Sequence, residues 1–267
     1  MKVTNSPSRA PSTTDDASLL HRMADAYVAS DGEFVTFMVA GDRPDDTYAE
    51  RLIHVLQHDV PALAACCDQR LANAAGVLLH ANTMVRSGLW EIRHAVVQPF
   101  ETLMDATGLP HIGAAVLRRT RFLEHFFRTA KHTSQRVPDR MAGWLVLLYA
   151  QALGPVRRVP QALLTRTVVD ATDVLPAGPM GGGARQDDLA LAAVFLLEVY
   201  CSGRAAFAPR YSEEWHAQFI AWLLHNQPPH VLTTLRGIAI RYDDASSVEL
   251  MDAIAELVQS AAPTTER

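Results

Sequence analysis

Two E-x-x-H pairs are the residues best suited by type and spacing to chemistry: Glu91-Ile92-Arg93-His94 and Glu213-Glu214-Trp215-His216. On a helix, side chains three apart share a face, so a Glu and a His at that spacing converge on one metal ion. Two such pairs with two further carboxylates make a helical di-iron or di-manganese centre. Glu50, Glu124 and Glu198 are available to complete the set. Against this, 11 histidines and 11 glutamates in 267 residues give roughly 0.5 such pairs by chance. The residues around Glu91 read as strand, which turns it away from His94. Glu213 stands in the first turn of a predicted helix, where the dipole favours an acid anyway. No metal ligand and no cofactor is assigned, and a di-metal carboxylate enzyme is the alternative.

The other candidates carry less. His54 and His58 stand four apart on a probable helix and could chelate a metal, but no third ligand accompanies them and a solvated helix face accounts for them. Gly181-Gly182-Gly183 lacks the Gly-Lys-Ser/Thr of a phosphate loop. No G-x-S-x-G elbow occurs, and no Ser, His and Asp can be assembled into a triad. No catalytic residue is named, and the expectation is that the chain is not an enzyme. Arg118, Arg119, Arg121, Arg128 and Lys131, against Glu124 alone, either meet an acidic partner or form a solvated face. Trp215, Phe219, Trp222 and Leu223 make an aromatic stripe at helical spacing. It is either core or the partner-binding face, and these four are the partner-binding candidates.

Composition narrows the class. A net charge of −5 offers no basic excess for a phosphate backbone, so nucleic acid is not an expected partner. Hydrophobic content of 49% and charged content of 20% suit a globular chain. Arginine greatly outnumbers lysine, which occurs only at Lys2 and Lys131, a bias that GC-rich coding explains without guanidinium chemistry. Cys66, Cys67 and Cys201 form no C-x-x-C pair and no disulfide framework, which fits a reducing compartment. No apolar run approaches the roughly 20 residues that cross a bilayer. Neither end carries a secretory or lipidation signal. Any membrane association is therefore expected to be indirect, through a partner, or to rest on reversible modification of a cysteine.

The elements that must position these residues follow from periodicity. Residues 1–16 read as a disordered tail rich in Ser, Thr and Pro, residues 17–260 as one globular domain, and residues 261–267 as a frayed end. Leu20, Met23, Ala24 and Tyr27 share a helical face, predicting a helix over 18–29. Phe34, Val35, Phe37 and Val39 predict a strand over 33–39, followed by a turn from Gly41 to Asp45. A helix carries Leu52, Val55 and Leu56, and Pro61 is placed in the first turn of a further helix bearing Leu63 and Leu71. One or two strands are expected within 76–100. From about residue 114 the pattern is helical. A buried helix, capped by Asp139 and ended at Gly154 through a positive φ, precedes helices near 160–174, 187–202, 212–225 and 246–260. Residues 176–183 read as a loop. Ser246-Ser247-Val248-Glu249 reads as a capping box. The fold class is α+β: a predominantly helical single globular domain, with a small β-sheet contributed mainly by the N-terminal half.

The aromatic helix runs into Leu223-Leu224-His225-Asn226-Gln227-Pro228-Pro229-His230-Val231-Leu232-Thr233-Thr234-Leu235. Near the start, Phe37-Met38-Val39-Ala40-Gly41 leads into the acidic turn around Pro44-Asp45-Asp46. With the apolar helices at 141–153 and 189–201 between them, this order resembles the herpesvirus cytoplasmic envelopment protein 1 family, over roughly residues 33–240. The resemblance implies a virion tegument protein of assembly and egress, with a compact mixed fold and no catalytic residues. It implies a hetero-oligomer with a second, palmitoylated tegument protein that carries it to Golgi-derived membranes, so that it works in the host cytoplasm and at those membranes. A bacterial effector or scaffold with a secretion tail is a further alternative.

Residues 1–16 hold no apolar periodicity and have little to bury. Their deletion is expected to leave the thermal midpoint of the protein within a few degrees, as differential scanning fluorimetry would read.

Overall fold

A computed structural model describes residues 18–81, 111–133, 137–168, 186–207, 213–224 and 229–261. The structure is α+β, predominantly helical, with one six-stranded sheet. By their packing the residues fall into two compact units, 1–188 and 189–267.

Two long strands organise the first unit: β3 (Ala64–Asn73) and β6 (Val156–Val168). They run parallel, from Ala64 opposite Val156 to Asn73 opposite Val168. Four shorter strands complete the sheet: β1 (Phe34–Val35), β2 (Arg43–Pro44), β4 (Leu78–His80) and β5 (Ala115–Arg118). The order is β1-β5-β3-β6-β2, with β4 also against β3, and every pairing except β3 with β6 is antiparallel. Five of the six strands precede residue 119, as the N-terminal placement of the sheet anticipates.

Several local expectations are corrected here. The helix expected after Pro61 is β3. Its residues Ala64, Ala65, Cys66 and Cys67 are small and buried on both faces, so the two-residue alternation that marks a strand is erased. The helix expected near 160–174 is β6. Pro160 cannot donate to a ladder, and it falls between Val159, opposite Cys67, and Ala162, opposite Asp68, where the register shifts. The strand expected over 33–39 pairs only at Phe34 and Val35, and Ala115–Arg118 is strand rather than the start of a helix. Of the strands expected within 76–100, β4 is present; Trp90, Ile92, Val96 and Val97 lie outside the described residues, as do the tail 1–16 and the loop 176–183.

The helices of this unit follow the apolar pattern. In α1 (Leu19–Ala29) the predicted face of Leu20, Met23, Ala24 and Tyr27 is buried, and Ser18 caps the N-terminus by accepting from the His21 N–H. In α2 (Tyr48–His58), Tyr48, Leu52 and Leu56 pack on Ala65, Cys67, Val116 and Leu164 of the sheet. The helix α3 (Arg121–His132), capped by Thr120, buries Phe122, Leu123, Phe126, Phe127 and Ala130. The rings of Tyr27, Phe37, Phe126 and Phe127 meet there, with Tyr27 and Phe127 4.4 Å apart. The apolar α4 (Asp139–Leu153) is buried through its middle as expected, but its ends differ from the reading. Asp139 lies in the first turn, and its Oδ1 accepts from the Leu19 N–H at 2.7 Å instead of capping its own helix. Gly154 is extended, at φ 179°. Its place is a steric one, since a Cβ there would lie 3.1 Å from the Pro61 carbonyl oxygen.

The second unit contains α5 (Gln186–Phe207), α6 (Glu213–Leu224), α7 (Pro229–Arg241) and α8 (Ala245–Ala261). Pro229 stands at the first position of α7, where its missing N–H costs nothing. The cap of α8 is Asp244, not the Ser246–Glu249 box: its carboxylate accepts from the Ser247 N–H at 3.2 Å and the Ser247 hydroxyl at 2.7 Å.

The shifted register between β3 and β6 carries a buried ion pair. Arg158 grips Asp68 with two bonds of 2.6 and 2.7 Å, and the two side chains are only 8% and 1% exposed. Removing one partner strands the other charge in the sheet. Asp68→Ala is expected to lower stability by about 3–5 kcal/mol, while Asp68→Leu with Arg158→Met recovers most of the loss. Urea unfolding of the three proteins would check both.

Candidate functional site

The side chains of the two E-x-x-H pairs fall outside what the structure describes. Glu91 and His94 lie outside the described residues, as do the side chains of Glu213 and His216 on α6. Among the described residues, no group of three or more His, Cys, Asp or Glu side chains is arranged to hold a metal ion. His54 and His58 are exposed on α2. Their rings lie 4.0 Å apart, and His58 Nδ1–H donates to the His54 carbonyl at 2.8 Å, so that nitrogen is already committed.

The basic segment divides: Arg118 and Arg119 turn inward, while Arg121, Arg128 and Lys131 are exposed on α3. Arg118 donates to the carbonyls of Ala62 and Leu56 at the end of α2, and its guanidinium lies over the Phe34 ring. Arg119 sits 4.6 Å over the Tyr27 ring and bonds Ser30. Arg128 pairs with Glu124 one turn away, and Lys131 with Asp25 of α1. The aromatic stripe divides likewise. Phe219 and Leu223 are buried, with Phe219 5.1 Å from the Tyr200 ring, so these two side chains are core and not a free partner-binding face. The side chains of Trp215 and Trp222 lie outside the described residues.

The residues at the start of the chain that carry the family resemblance are held to the sheet. Asp45 accepts two bonds of 2.9 Å from Arg70 of β3, which hold its carboxyl below the usual carboxylate range. Gly41 takes a φ of 94°, and its carbonyl accepts from the Thr167 hydroxyl at 2.8 Å. Next to it is a pair that sequence reasoning missed. The Asp42 side chain is 2% exposed, and its Oδ2 lies 3.6 Å from His111 Nδ1. That Oδ2 has no hydrogen-bond partner. Burial pushes the Asp42 carboxyl up to about 6, against the opposing pull of the Val39 N–H and Arg166. Burial, with Arg166 adding to it, pushes His111 down to about 3. The two residues are far apart in the chain and sit in unremarkable turns, so no local pattern marks them.

A continuous apolar run is exposed elsewhere. Val77, Leu78 and Leu79, at the start of β4, are 58%, 53% and 43% exposed. All three cysteines are buried. Burial is the main cause raising the thiols of Cys66 and Cys67 on β3, the latter to about 12. Among the described residues no helix is long and apolar enough to cross a membrane.

No family model and no curated protein matches the sequence. Among solved structures, the chain is similar to residues 1–349 of TarS from S. aureus, at 13% identity and a TM-score of 0.42, over 93% of this chain and 73% of that one. TarS is a glycosyltransferase, and the expectation that this chain is not an enzyme is withdrawn on that finding. A likeness of this TM-score carries no argument for a particular activity.

The buried thiols have a measurable consequence, because the thiolate is the reacting species. In folded protein at about pH 8, Cys66 and Cys67 are expected to resist iodoacetamide, and to react fully once urea unfolds the chain. Intact-mass spectrometry would read the adducts, and rapid native labelling of either residue would show β3 to be open.

Proposed function

We propose that this chain is a virion tegument protein of the cytoplasmic envelopment protein 1 type. On this reading it binds a second, palmitoylated tegument protein and acts with it in secondary envelopment and egress, in the host cytoplasm and at Golgi-derived membranes. The observation that carries the reading is the placement of the resembling segment. Leu223, Val231 and Leu235 are buried, and Pro229 opens the helix that follows. The apolar positions of the resembling segment that the structure describes as buried are thus part of the core of the second unit.

Two further features support it. Cys66, Cys67 and Cys201 are all buried, which suits a complex whose acyl chain is attached to the other protein. With Phe219 and Leu223 in the core, Val77, Leu78 and Leu79 form the apolar run that a partner would cover.

The test is affinity capture from infected cells, followed by localisation in uninfected cells with and without the captured protein. Expected are a stoichiometric acylated tegument partner and a diffuse lone chain that moves to Golgi membranes on co-expression. Leu78→Asp with Leu79→Asp is expected to weaken capture by at least about tenfold without lowering the thermal midpoint. Golgi targeting by the lone chain with all three cysteines changed to serine would overturn the proposal.

A further inference from the structure

The turn between β1 and β2 meets a second turn at one point. From its own side, the Asp42 N–H donates to the Val39 carbonyl at 3.0 Å, and Thr167 of β6 holds Gly41. From the other side comes the short 3-10 turn Ile112–Ala114, capped by His111. That turn is anchored twice: the Tyr48 hydroxyl of α2 donates to the Gly113 carbonyl at 2.7 Å, and Ile112 lies against Gly143 of α4. Gly113 leaves the approach open, since a Cβ on it would stand 2.4 Å from Asp42 Oδ2.

The two atoms that face each other are acceptors unless one carries a proton. His111 Nδ1 accepts from the Gly113 N–H at 3.2 Å through its one lone pair and so carries no proton there, and Asp42 Oδ2 is without a donor. A buried acceptor without a donor is costly, and two acceptors face to face repel. One proton on Asp42 Oδ2 turns the repulsion into a bond to Nδ1, which then shares its lone pair between that O–H and the Gly113 N–H. Among the described residues, the charged and titratable groups around the pair are Arg166 from β6, which acts on both, and Tyr48 from α2, whose phenol burial keeps neutral. Arg43, next in the same turn, is exposed, and α4 meets the 3-10 turn through an uncharged glycine.

We propose that Asp42 and His111 form a one-proton latch that fastens the β1–β2 turn to the Ile112–Ala114 turn, closed while the pair holds a proton and loosened when that proton leaves.

The signs of the two groups oppose each other. The Asp42 carboxyl is raised from 3.8 to about 6 in the folded protein, so its contribution is full below 3.8 and lost as pH rises through 6. His111 is lowered from 6.5 to about 3, so its contribution is present above 6.5 and lost as pH falls towards 3. Between 3.8 and 6 the folded state gains one proton at Asp42 and gives up one at His111, and the pair's net pH dependence cancels. Substituting either residue exposes the slope of the other. An Asn at position 42 supplies a permanent N–H donor towards Nδ1 and has no proton to lose.

Urea unfolding of the full chain and of Asp42→Asn between about pH 4 and 8 is the experiment. The ratio of folding constants, variant over parent, is expected to rise by about a hundredfold from pH 4 to 6.5 and then stay level. A ratio that is flat across the range overturns the latch. Should the variant fail to fold, two measurements on the parent protein decide. The Asp42 side-chain carbon is expected to titrate near pH 6. Protection of the Asp42 amide from hydrogen exchange, corrected for its intrinsic pH dependence, is expected to fall over the same range. An ordinary carboxylate midpoint near about 4, or protection that does not change as the carboxyl titrates, overturns it as well.

Discussion

The parallel pairing of β3 with β6 is the constraint on which the first unit depends. Parallel neighbours cannot be joined by a tight turn, so the chain between Asn73 and Val156 must leave the sheet and return to its starting end. On the way it lays β4 and β5 on the other side of β3 and contributes α3 and α4. The return is exacting. Gly154 passes close to Pro61 and Leu63, and the Leu63 N–H takes the Pro155 carbonyl at 3.0 Å to start the pairing. β3 is then covered on both faces, where small residues, Ala64, Ala65, Cys66 and Cys67, fill its first half.

Where the two strands differ in length, charge bridges the gap. The register shift at Pro160 interrupts the ladder, and the Arg158–Asp68 pair lies across it. Other arginines do comparable structural work. Arg70 ties the β2 turn to β3, Arg118 satisfies carbonyls at the end of α2, Arg119 joins α1 to the start of α3, and Arg157 pairs with Asp59. A planar guanidinium reaches two carbonyls or both oxygens of a carboxylate at once through a fixed fork of donors, which the single ammonium of a lysine lacks. The excess of arginine over lysine is thus used inside the fold, whatever its origin in coding.

The proposed function and the proposed latch draw on different parts of the same unit. The exposed Val77-Leu78-Leu79 run begins β4, at the far end of β3 from its pairing with β5. The latch stands where the β1–β2 turn, β6 and the 3-10 turn come together, beside Tyr48. Tyr48 belongs both to the anchor of the 3-10 turn and to the core cluster of Leu52, Leu56 and Leu164.

By itself the sequence determined the elements with a clear apolar pattern: α1 with its four-residue face, α2, α3, the all-round apolar α4, and α5, α6 and α8 of the second unit; α7, which opens at Pro229, was not among them, because the proline pair reads as a stop and not as a start. It also determined the α+β class and the early position of the sheet. Only the tertiary structure decided β3 and β6: β3 is covered on both faces and loses its alternation, β6 is interrupted by the register shift at Pro160, and Pro61 and Pro160 mimic helix signals. Only it decided the caps, since Asp139 serves α1 and Asp244 displaces the serines of the expected box. The same holds for the site. Phe219 and Leu223 have a spacing that suits core or interface equally, and burial alone separates the two. Asp42 and His111 acquire their chemistry from being brought within 3.6 Å of each other out of water, which no spacing along the chain encodes.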